Sequence, residues 1–540
     1  ASVLPPNVVF VLTDDQDTLL GSTDAMPHLQ RLLGEEGATV EAMFAATPVC
    51  CPSRSSFMTG RYIHNLEVVN NSVPGNCGGL EWQRGPERHN AAALMSQAGY
   101  RTGFFGKYLN CYGFKNVGGL AHVPPGWDQW HALQGNSVFY NYKMSVNGVE
   151  EDHGSDYHRD YLPDLVANRS IDFIHAAEGD RRPFFLYIST PAPHEPADPA
   201  PQHAELFEGA QAPRTPSWNV RKRERDWFVA SAGLTGPMNA TMAAYSDIMY
   251  RRRLQALQSV DEMLARIETS LRDIGELDNT YIFYASDNGY HLGQFGLALD
   301  KRLAYEHDIR VPLYARGPGI PAGRVVPPGE GFALNIDMLP TFLDIAGAEP
   351  PAFLDGRSFL PHLTRPGPRG AGDRTDFLVE YHGEGGHWTN CPTFQGDPGF
   401  QGMFCHLVPP TKTGEFSVPP FYGRPQWCSC QDSSNNTYAC VRSLAGEGPG
   451  SFGYTFCQWD TGELEFYDVD EDLWGLDNRA RHLTPLELEA LRGRLAQLRA
   501  CRGAAECSKP APTSSQRIAR DLRARLSPPQ QPAPHPAAAA

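Results

Sequence analysis

Apolar residues run almost unbroken through residues 7–13, 183–190 and 280–286, three short segments that suit parallel strands buried on both faces. Gly103-Phe104-Phe105, ending at Gly106-Lys107, and residues 310–315 are expected as further strands. Between them the apolar spacing changes to three and four. Residues 27–34, 90–99 and 161–177 read as helices. Leu254, Leu257, Met263, Leu264, Ile267, Leu271 and Ile274 mark one face of a long helix that stops at Gly275. Residues 337–347 read as a helix with Asp337 as its cap. The alternation predicts an α/β fold, a large mixed, mostly parallel sheet sandwiched by helices. Residues 197–240, rich in Pro, Ala and charge, read as a surface excursion.

From about residue 376 the grain changes to Gly, Pro and Cys, with a strand at 463–469. A last helix opens at Thr484-Pro485 and carries Leu488, Leu491, Leu495 and Leu498 on one face. The expected organisation is a large domain over 1–375, a smaller cysteine-rich α+β domain over 376–507, and a tail over 508–540. The tail lacks a periodic apolar pattern and is expected to be disordered.

Charge narrows the function classes. Lys plus Arg number 46 against 62 Asp plus Glu, a net charge of −16, which argues against nucleic acid or an anionic membrane as main partner. The 18 histidines are enough to cancel that charge in an acidic compartment. No apolar run nears the ~18 residues of a membrane span. The chain begins at Ala1, as after removal of a signal peptide. Sequons at Asn70, Asn168, Asn239 and Asn435 agree with a secretory-pathway protein. Eight of the 12 cysteines fall between Cys391 and Cys507, which predicts disulfides in the C-terminal region. A zinc site is the rival reading, disfavoured because Cys428 and Cys430 lack the usual two-residue spacing.

Polar residues follow three of the expected strands: Asp14 and Asp15, then His194, then Asp287 and Asn288. In an open parallel sheet that edge is where ligands bind. Each signal alone fits a turn or a cap, but Asp14, Asp15, Asp287 and Asn288 together are four hard oxygen donors, suited to Ca²⁺ or Mg²⁺. Residues 49–61 add a helix expected to start at Pro52 and stop at Gly60. Cys50 and Cys51 would sit at the end that favours an anion, with Arg54 one turn in.

Cys50-x-Pro52-Ser53-Arg54, followed by Thr59-Gly60-Arg61, resembles the signature of the type I sulfatases. The resemblance implies an alkaline phosphatase-like fold and conversion of Cys50 to formylglycine by a formylglycine-generating enzyme. It implies a metal, usually calcium and less often magnesium, held by Asp14, Asp15, Asp287, Asn288 and the Cys50 position. Arg54 would orient the formylglycine hydrate, while Lys107, Lys301 and His194 would hold the sulfate or protonate the leaving alcohol. The chain departs from the family at Lys107-Tyr108-Leu109-Asn110, where many members have histidine two residues after the lysine. Asn110 would fill that space without being a base.

The resemblance extends to about residue 507 and is closest to the lysosomal N-acetylglucosamine-6-sulfatases, through Cys50 to Asn65, Val68 to Ser72, Gly75 to Cys77, Gly106 to Asn110, Thr190 to Pro196, Gly275 to Gly319 and Val379 to Gly385. Extracellular endosulfatases share several of these stretches but carry a long basic insertion not found in this sequence. The implied substrate is a sulfated glycosaminoglycan oligosaccharide of heparan or keratan sulfate, with lysosomal or secreted localisation. His64, Trp82, His291, His382 and Glu384, with Asn110, are candidate sugar contacts. The alternatives are an arylsulfatase, a heparan sulfate 6-O-endosulfatase and a non-catalytic glycan-binding relative. A metal-dependent phosphatase would want Ser or Thr as nucleophile and more His for zinc.

Overall fold

In the computed structural model the described residues are 4–220, 229, 238, 240–370, 372–384, 403–406, 427–430, 432, 436–444 and 451–526. In chain order the first strands are β1 (Asn7–Thr13), β2 (Ala38–Val40), β3 (Met43–Phe44), β4 (Arg101–Lys107), β5 (Gln129–Leu133), β6 (Lys143–Val146) and β7 (Val149–Asp152). Then come β8 (Phe184–Ser189), β9 (Thr280–Ser286), β10 (Arg310–Val311), β11 (Leu313–Arg316), β12 (Arg324–Val326), β13 (Ala333–Leu334) and β14 (Asp376–Tyr381). The rest are β15 (Met403–His406), β16 (Trp427–Cys430), β17 (Tyr438–Ser443), β18 (Tyr454–Trp459) and β19 (Leu464–Asp468).

Ten strands form one sheet in the order β12-β2-β11-β9-β1-β8-β4-β5-β6-β7. Its centre, β9-β1-β8-β4-β5, is parallel, while β11, β6 and β7 pair antiparallel at the flanks. Every residue of β1 is buried. Val9 and Val11 enter one core with Leu257 and Leu264 of the long helix Ala240–Asp273; Val8, Phe10 and Leu12 enter the other with Phe57, Leu94 and Phe342. This is the sandwiched, mostly parallel sheet that continuous apolar strands require.

Four details differ from the sequence reading. The expected strand at 310–315 breaks at Pro312, which lacks a donor for the ladder, so β10 joins a three-stranded sheet and β11 the large one. Asp337 holds the N-cap position of the helix Met338–Ile345, but its side chain does not cap that helix; it accepts from Leu334 N as part of a capping box on the preceding 3₁₀ turn Asn335–Asp337 and is ion-paired with Arg374. The helix expected from Pro52 starts at Cys50, with Pro52 still inside the first turn, where no N–H is needed.

The fourth is the tail. Residues 513–516 and 518–526 are helical, and Ile518, Ala519 and Leu522 are buried in the core of the β14-β17-β18-β19 sheet. Arg523 grips Asp468 at 2.7 and 2.8 Å. Three apolar residues among Pro, Ser and Arg are too few to show a period, which is why the sequence hid them. Residues 527–540 lie outside the described residues. That same core includes Phe44, Val49, Tyr62 and Ile309 of the N-terminal part, so packing continues across residue 376.

Among the described residues Cys440–Cys457 and Cys501–Cys507 are disulfides of the C-terminal region, and Cys51–Cys77 is a third that the sequence reading did not foresee. Cys391 and the side chains of Cys405, Cys428 and Cys430, on which the zinc alternative rests, lie outside the description. Asn168 is exposed on the helix Leu162–His175, whereas Asn70 is 8% exposed with its Oδ1 accepting from Ser72. Asn239 and Asn435 lie outside the described residues.

β4 runs so close to β8 that a Cβ on Gly106 would stand 1.9 Å from the Ser189 carbonyl oxygen, at a φ of +116°. Gly106→Ala is expected to destabilise the protein by roughly 4 kcal/mol, read as a lower denaturant midpoint, because backbone rather than a side chain must move.

Candidate active site

The parallel strands end on one edge, and their register brings the polar residues together: Leu12 pairs with Ser189, Gly106 with Ser189, and Thr13 with Ser286. Asp14 and Asp15 follow β1, Lys107 ends β4, His194 follows β8, and Asp287 and Asn288 follow β9. The helix Cys50–Thr59 meets this edge with its first turn. Cys50 Sγ lies 3.7 Å from Asp14 Oδ1 and 3.7 Å from Asp15 Oδ1. Cys51 faces away into its disulfide with Cys77, and Asn71 Oδ1 accepts its backbone N–H at 2.9 Å. The geometry therefore separates two adjacent cysteines, one free and aimed at carboxylates, the other tied off.

Arg54, 2% exposed, is the brace of the site. Its Nε donates to Asp287 Oδ2 at 2.7 Å, its Nη1 donates to Ser189 Oγ at 2.7 Å and to the Lys107 carbonyl at 3.1 Å, and its Nη2 is 3.2 Å from Asp14 Oδ1. Lys107 Nζ donates to Asp14 Oδ2 at 2.6 Å and to Asn136 Oδ1 at 2.8 Å, and Lys301 Nζ donates to Asp15 Oδ2 at 2.6 Å. His194 Nδ1 lies 2.6 Å from the Glu195 carbonyl, and its Nε2 lies 3.6 Å from Asp15 Oδ2.

These charges set the protonation states. Burial would raise Asp14, but Lys107 and Arg54 outweigh it and hold the carboxyl well below its usual range. Asp15 is likewise held down against burial by Lys301 and His194. Asp287 behaves oppositely: burial and the neighbouring Asp14 and Asp15 push it up to about 7 despite Arg54. Burial opposes the charge on Lys301, yet Asp15 keeps its ammonium above the usual range. Burial drives the Cys50 thiol far above its ordinary value, beyond what Lys107 and Lys301 offset, so an unmodified Cys50 is a neutral thiol and a weak nucleophile.

The donor set fits a hard cation. Asp14, Asp15, Cys50 and His194 bring one ligand atom each within 4.8 Å of one another. Asn288 Nδ2 donates to Asp15 Oδ1 at 2.8 Å and to the Gly289 carbonyl, which leaves its Oδ1 buried and without a hydrogen-bond partner among the described residues. An orphaned amide oxygen beside two ionised carboxylates is a vacancy in hydrogen bonding that an oxygen-preferring cation satisfies. Asp287 adjoins it, with Oδ1 accepting from Asp15 N and Asn288 N, both at 2.9 Å.

The family model described as "Sulfatase" matches residues 6–348. The chain belongs to the sulfatase family. As a sulfatase it is a sulfuric ester hydrolase. The N-acetylglucosamine-6-sulfatases of Capra hircus and Homo sapiens are each 41% identical to it over 507 residues, covering 92% of this chain and 84% and 85% of theirs. A solved structure in complex with its substrate D-glucosamine-2-N,6-O-disulfate superposes with a TM-score of 0.66 at 22% identity, covering 91% of this chain and 97% of that one, and so shares the fold.

Within this sulfatase, several of the expected sugar contacts have partners inside the protein. Trp82 is wholly buried and donates to Glu87 and Tyr108, a core role. The His64 ring is occupied by Glu380 and the Cys501 carbonyl. His291, 2% exposed, has Nδ1 3.0 Å from Asp308, which also accepts from Leu303 N at 2.9 Å; the pair fastens the loop that carries Lys301. Glu384 accepts from Asn71 N at 3.3 Å, and so reaches the first turn of the Cys50 helix through Asn71. His382 is half-buried just beyond β14. Asn110 sends Nδ2 to Asn136 Oδ1 at 3.1 Å, while Leu109, where the family histidine is expected, is in the core.

The sequence reading missed Asn136, Ser137 and Ser189. Asn136 bridges Lys107 and Asn110 and faces His194 Nε2 at 3.5 Å, and Ser137 donates to Asp14 Oδ2. Asn136 and Ser137 follow β5, so the strand-end rule would have found them had Gln129–Leu133 looked like a strand; its half-polar composition concealed it.

Proposed function

We propose that this sulfatase hydrolyses the 6-O-sulfate ester of N-acetylglucosamine in heparan or keratan sulfate fragments. The observation that carries the reading is the 41% identity over 92% of the chain to two N-acetylglucosamine-6-sulfatases, joined to a site in which Cys50 faces Asp14 and Asp15 and Arg54 holds Asp287. Membership of the sulfatase family and the Cys50-x-Pro52-Ser53-Arg54 signature support Cys50 as the position converted to formylglycine by a dedicated maturation enzyme, and the neutral state of the buried thiol supports the need for it.

A formylglycine at Cys50 would supply, as its hydrate, the oxygen nucleophile that a buried thiol is not. A hard divalent cation, calcium in this reading, would supply positive charge beside the sulfate oxygens from Asp14, Asp15, Asp287 and Asn288. The chain's own residues do the rest. Arg54 fixes Asp287 and Asp14 relative to residue 50, and Asp287 accepts the nucleophile's proton. Lys107 and Lys301 bring fixed positive charge to the sulfate from two sides and can donate to the leaving oxygen. His194, donating Nδ1–H to the Glu195 carbonyl, presents Nε2 as an acceptor, which suits taking a proton back when sulfate departs. Leu109 lacks that capacity, so His194 also covers for the absent family histidine.

Localisation in the secretory pathway is supported by the three disulfides among the described residues, and lysosomal delivery is the finer reading that the resemblance to N-acetylglucosamine-6-sulfatases suggests; no helix among the described residues is long and apolar enough to cross a membrane. Purified protein is expected to release sulfate from 6-sulfated N-acetylglucosamine with kcat/KM at least ~100-fold above that for its 3- or 4-sulfated isomers. Equal rates on all three, or on a generic aryl sulfate alone, would replace this reading with an arylsulfatase.

A further inference from the structure

His64 lies in the short 3₁₀ turn Ile63–Asn65 that follows the Cys50 helix, stacked on Tyr62 with ring centroids 5.5 Å apart. Its Nδ1 is 2.7 Å from Glu380 Oε1 on β14, and its Nε2 is 3.1 Å from the carbonyl oxygen of Cys501. A carbonyl oxygen cannot donate, and neither can an ionised carboxylate. A neutral imidazole has one N–H, so one of these two contacts would set a lone pair against an oxygen. Only the imidazolium satisfies both.

The three segments that meet at this ring are otherwise separate in the chain. Glu380 Oε1 also accepts the His64 backbone N–H at 3.2 Å, and Glu380 N donates to the Ala46 carbonyl just ahead of the Cys50 helix. Cys501 opens the Cys501–Cys507 disulfide loop, and its carbonyl also accepts Asn65 Nδ2 at 2.9 Å. Asp355 closes the arrangement, accepting Tyr62 N at 2.9 Å, Asn65 Nδ2 at 2.9 Å and Gly503 N at 2.7 Å. The charges acting on the ring are thus Glu380 from β14 and Asp355 from its own segment, while Arg61 beside the turn interacts with Asp355 and with Arg502 of the disulfide loop. Burial works against a charge on His64, but the Glu380 hydrogen bond and carboxylate, the Cys501 carbonyl and Asp355 outweigh it, and the ring titrates above its ordinary value.

We propose that His64 is a positioning residue which, as an imidazolium, pins the C-terminal end of the Cys50 helix to β14 and the Cys501–Cys507 loop, so that the helix is seated more firmly in acid than at neutral pH. Because the folded ring titrates above its unfolded value of about 6.5, the stabilisation is complete below that pH and is lost as pH rises through the folded value. The device is independent of which sugar the enzyme accepts.

The test compares full-length wild type, His64→Gln and Glu380→Gln by thermal unfolding and by kcat and KM from about pH 5 to about pH 8. His64→Gln keeps one donor but cannot carry charge. It is expected to lower Tm in acid by about 3 °C, a gap that closes at the alkaline end. Its kcat should fall several-fold in acid with KM unchanged, since the ring holds the helix and not the sugar. Glu380→Gln should move the pH at which wild-type stabilisation disappears by roughly one unit toward acid. A His64→Gln deficit equal at both ends of the range overturns the proposal, as does a Glu380→Gln midpoint that does not move; the latter decides alone if His64→Gln does not fold.

Discussion

Cys50→Ser protein mixed with a 6-sulfated substrate is expected to keep a sulfo group on residue 50 and to turn over on the order of 10³-fold more slowly than wild type. The substitution is nearly isosteric at a wholly buried position, so the fold should not change. Serine Oγ would stand where Sγ stands, beside Asp14 and Asp15 and within the field of Lys107 and Lys301. It can attack sulfur, break the sulfur–oxygen bond and let the alcohol leave with a proton from one of the neighbouring donors. It has a single oxygen, and so nothing on the same carbon can expel the sulfate afterwards. Peptide mass spectrometry after digestion reads the added group. Wild-type turnover by this variant would reject the formylglycine scheme.

Chelation of divalent cations should be nearly as severe. Asp14 and Asp15 are held ionised, and the Asn288 Oδ1 next to them has no partner among the described residues. Stripped protein is expected to lose at least ~100-fold in kcat, and at a calcium concentration of 100 Kd to regain about 2.7 kcal/mol of stability. Calcium or magnesium should restore both better than zinc, because the donors are oxygens. The pH dependence has a definite sign. Without a cation Asp287 holds a proton below about 7, and binding has to displace it, so apparent affinity should climb as pH rises to about 7 and then level off. Full activity in excess chelator, with no bound metal by elemental analysis, would remove the cation from the account.

The fold was legible where burial on both faces forces a continuous apolar run, as in β1, β8 and β9, and those strands brought Asp14, Asp15, His194, Asp287 and Asn288 into view at their ends. It was illegible where a side chain's role depends on what lies across space. His64 sits close to the signature and reads as a sugar contact until Glu380 and Cys501, more than 300 residues away in sequence, appear on either side of its ring. Cys51 and Cys77 carried no pairing signal, since four cysteines in that half allow several partners. Asp337 looked like the cap of the helix that follows because aspartate before an apolar run usually is one; here its carboxylate turns back to Leu334 N, capping the preceding 3₁₀ turn, and pairs with Arg374. The tail helix Ile518–Leu526 owes its order to the surface it lands on rather than to its own composition.

Cys50 has no accessible surface, and it is enclosed by segments drawn from the first and the middle parts of the chain. No second protein can reach such an atom once β1 and β9 have paired. Under the proposed formylglycine reading, conversion of this residue is therefore a matter of timing: it would belong to the interval between synthesis and closure of the sheet, and a chain that folded too quickly would be trapped as a well-formed but inert product.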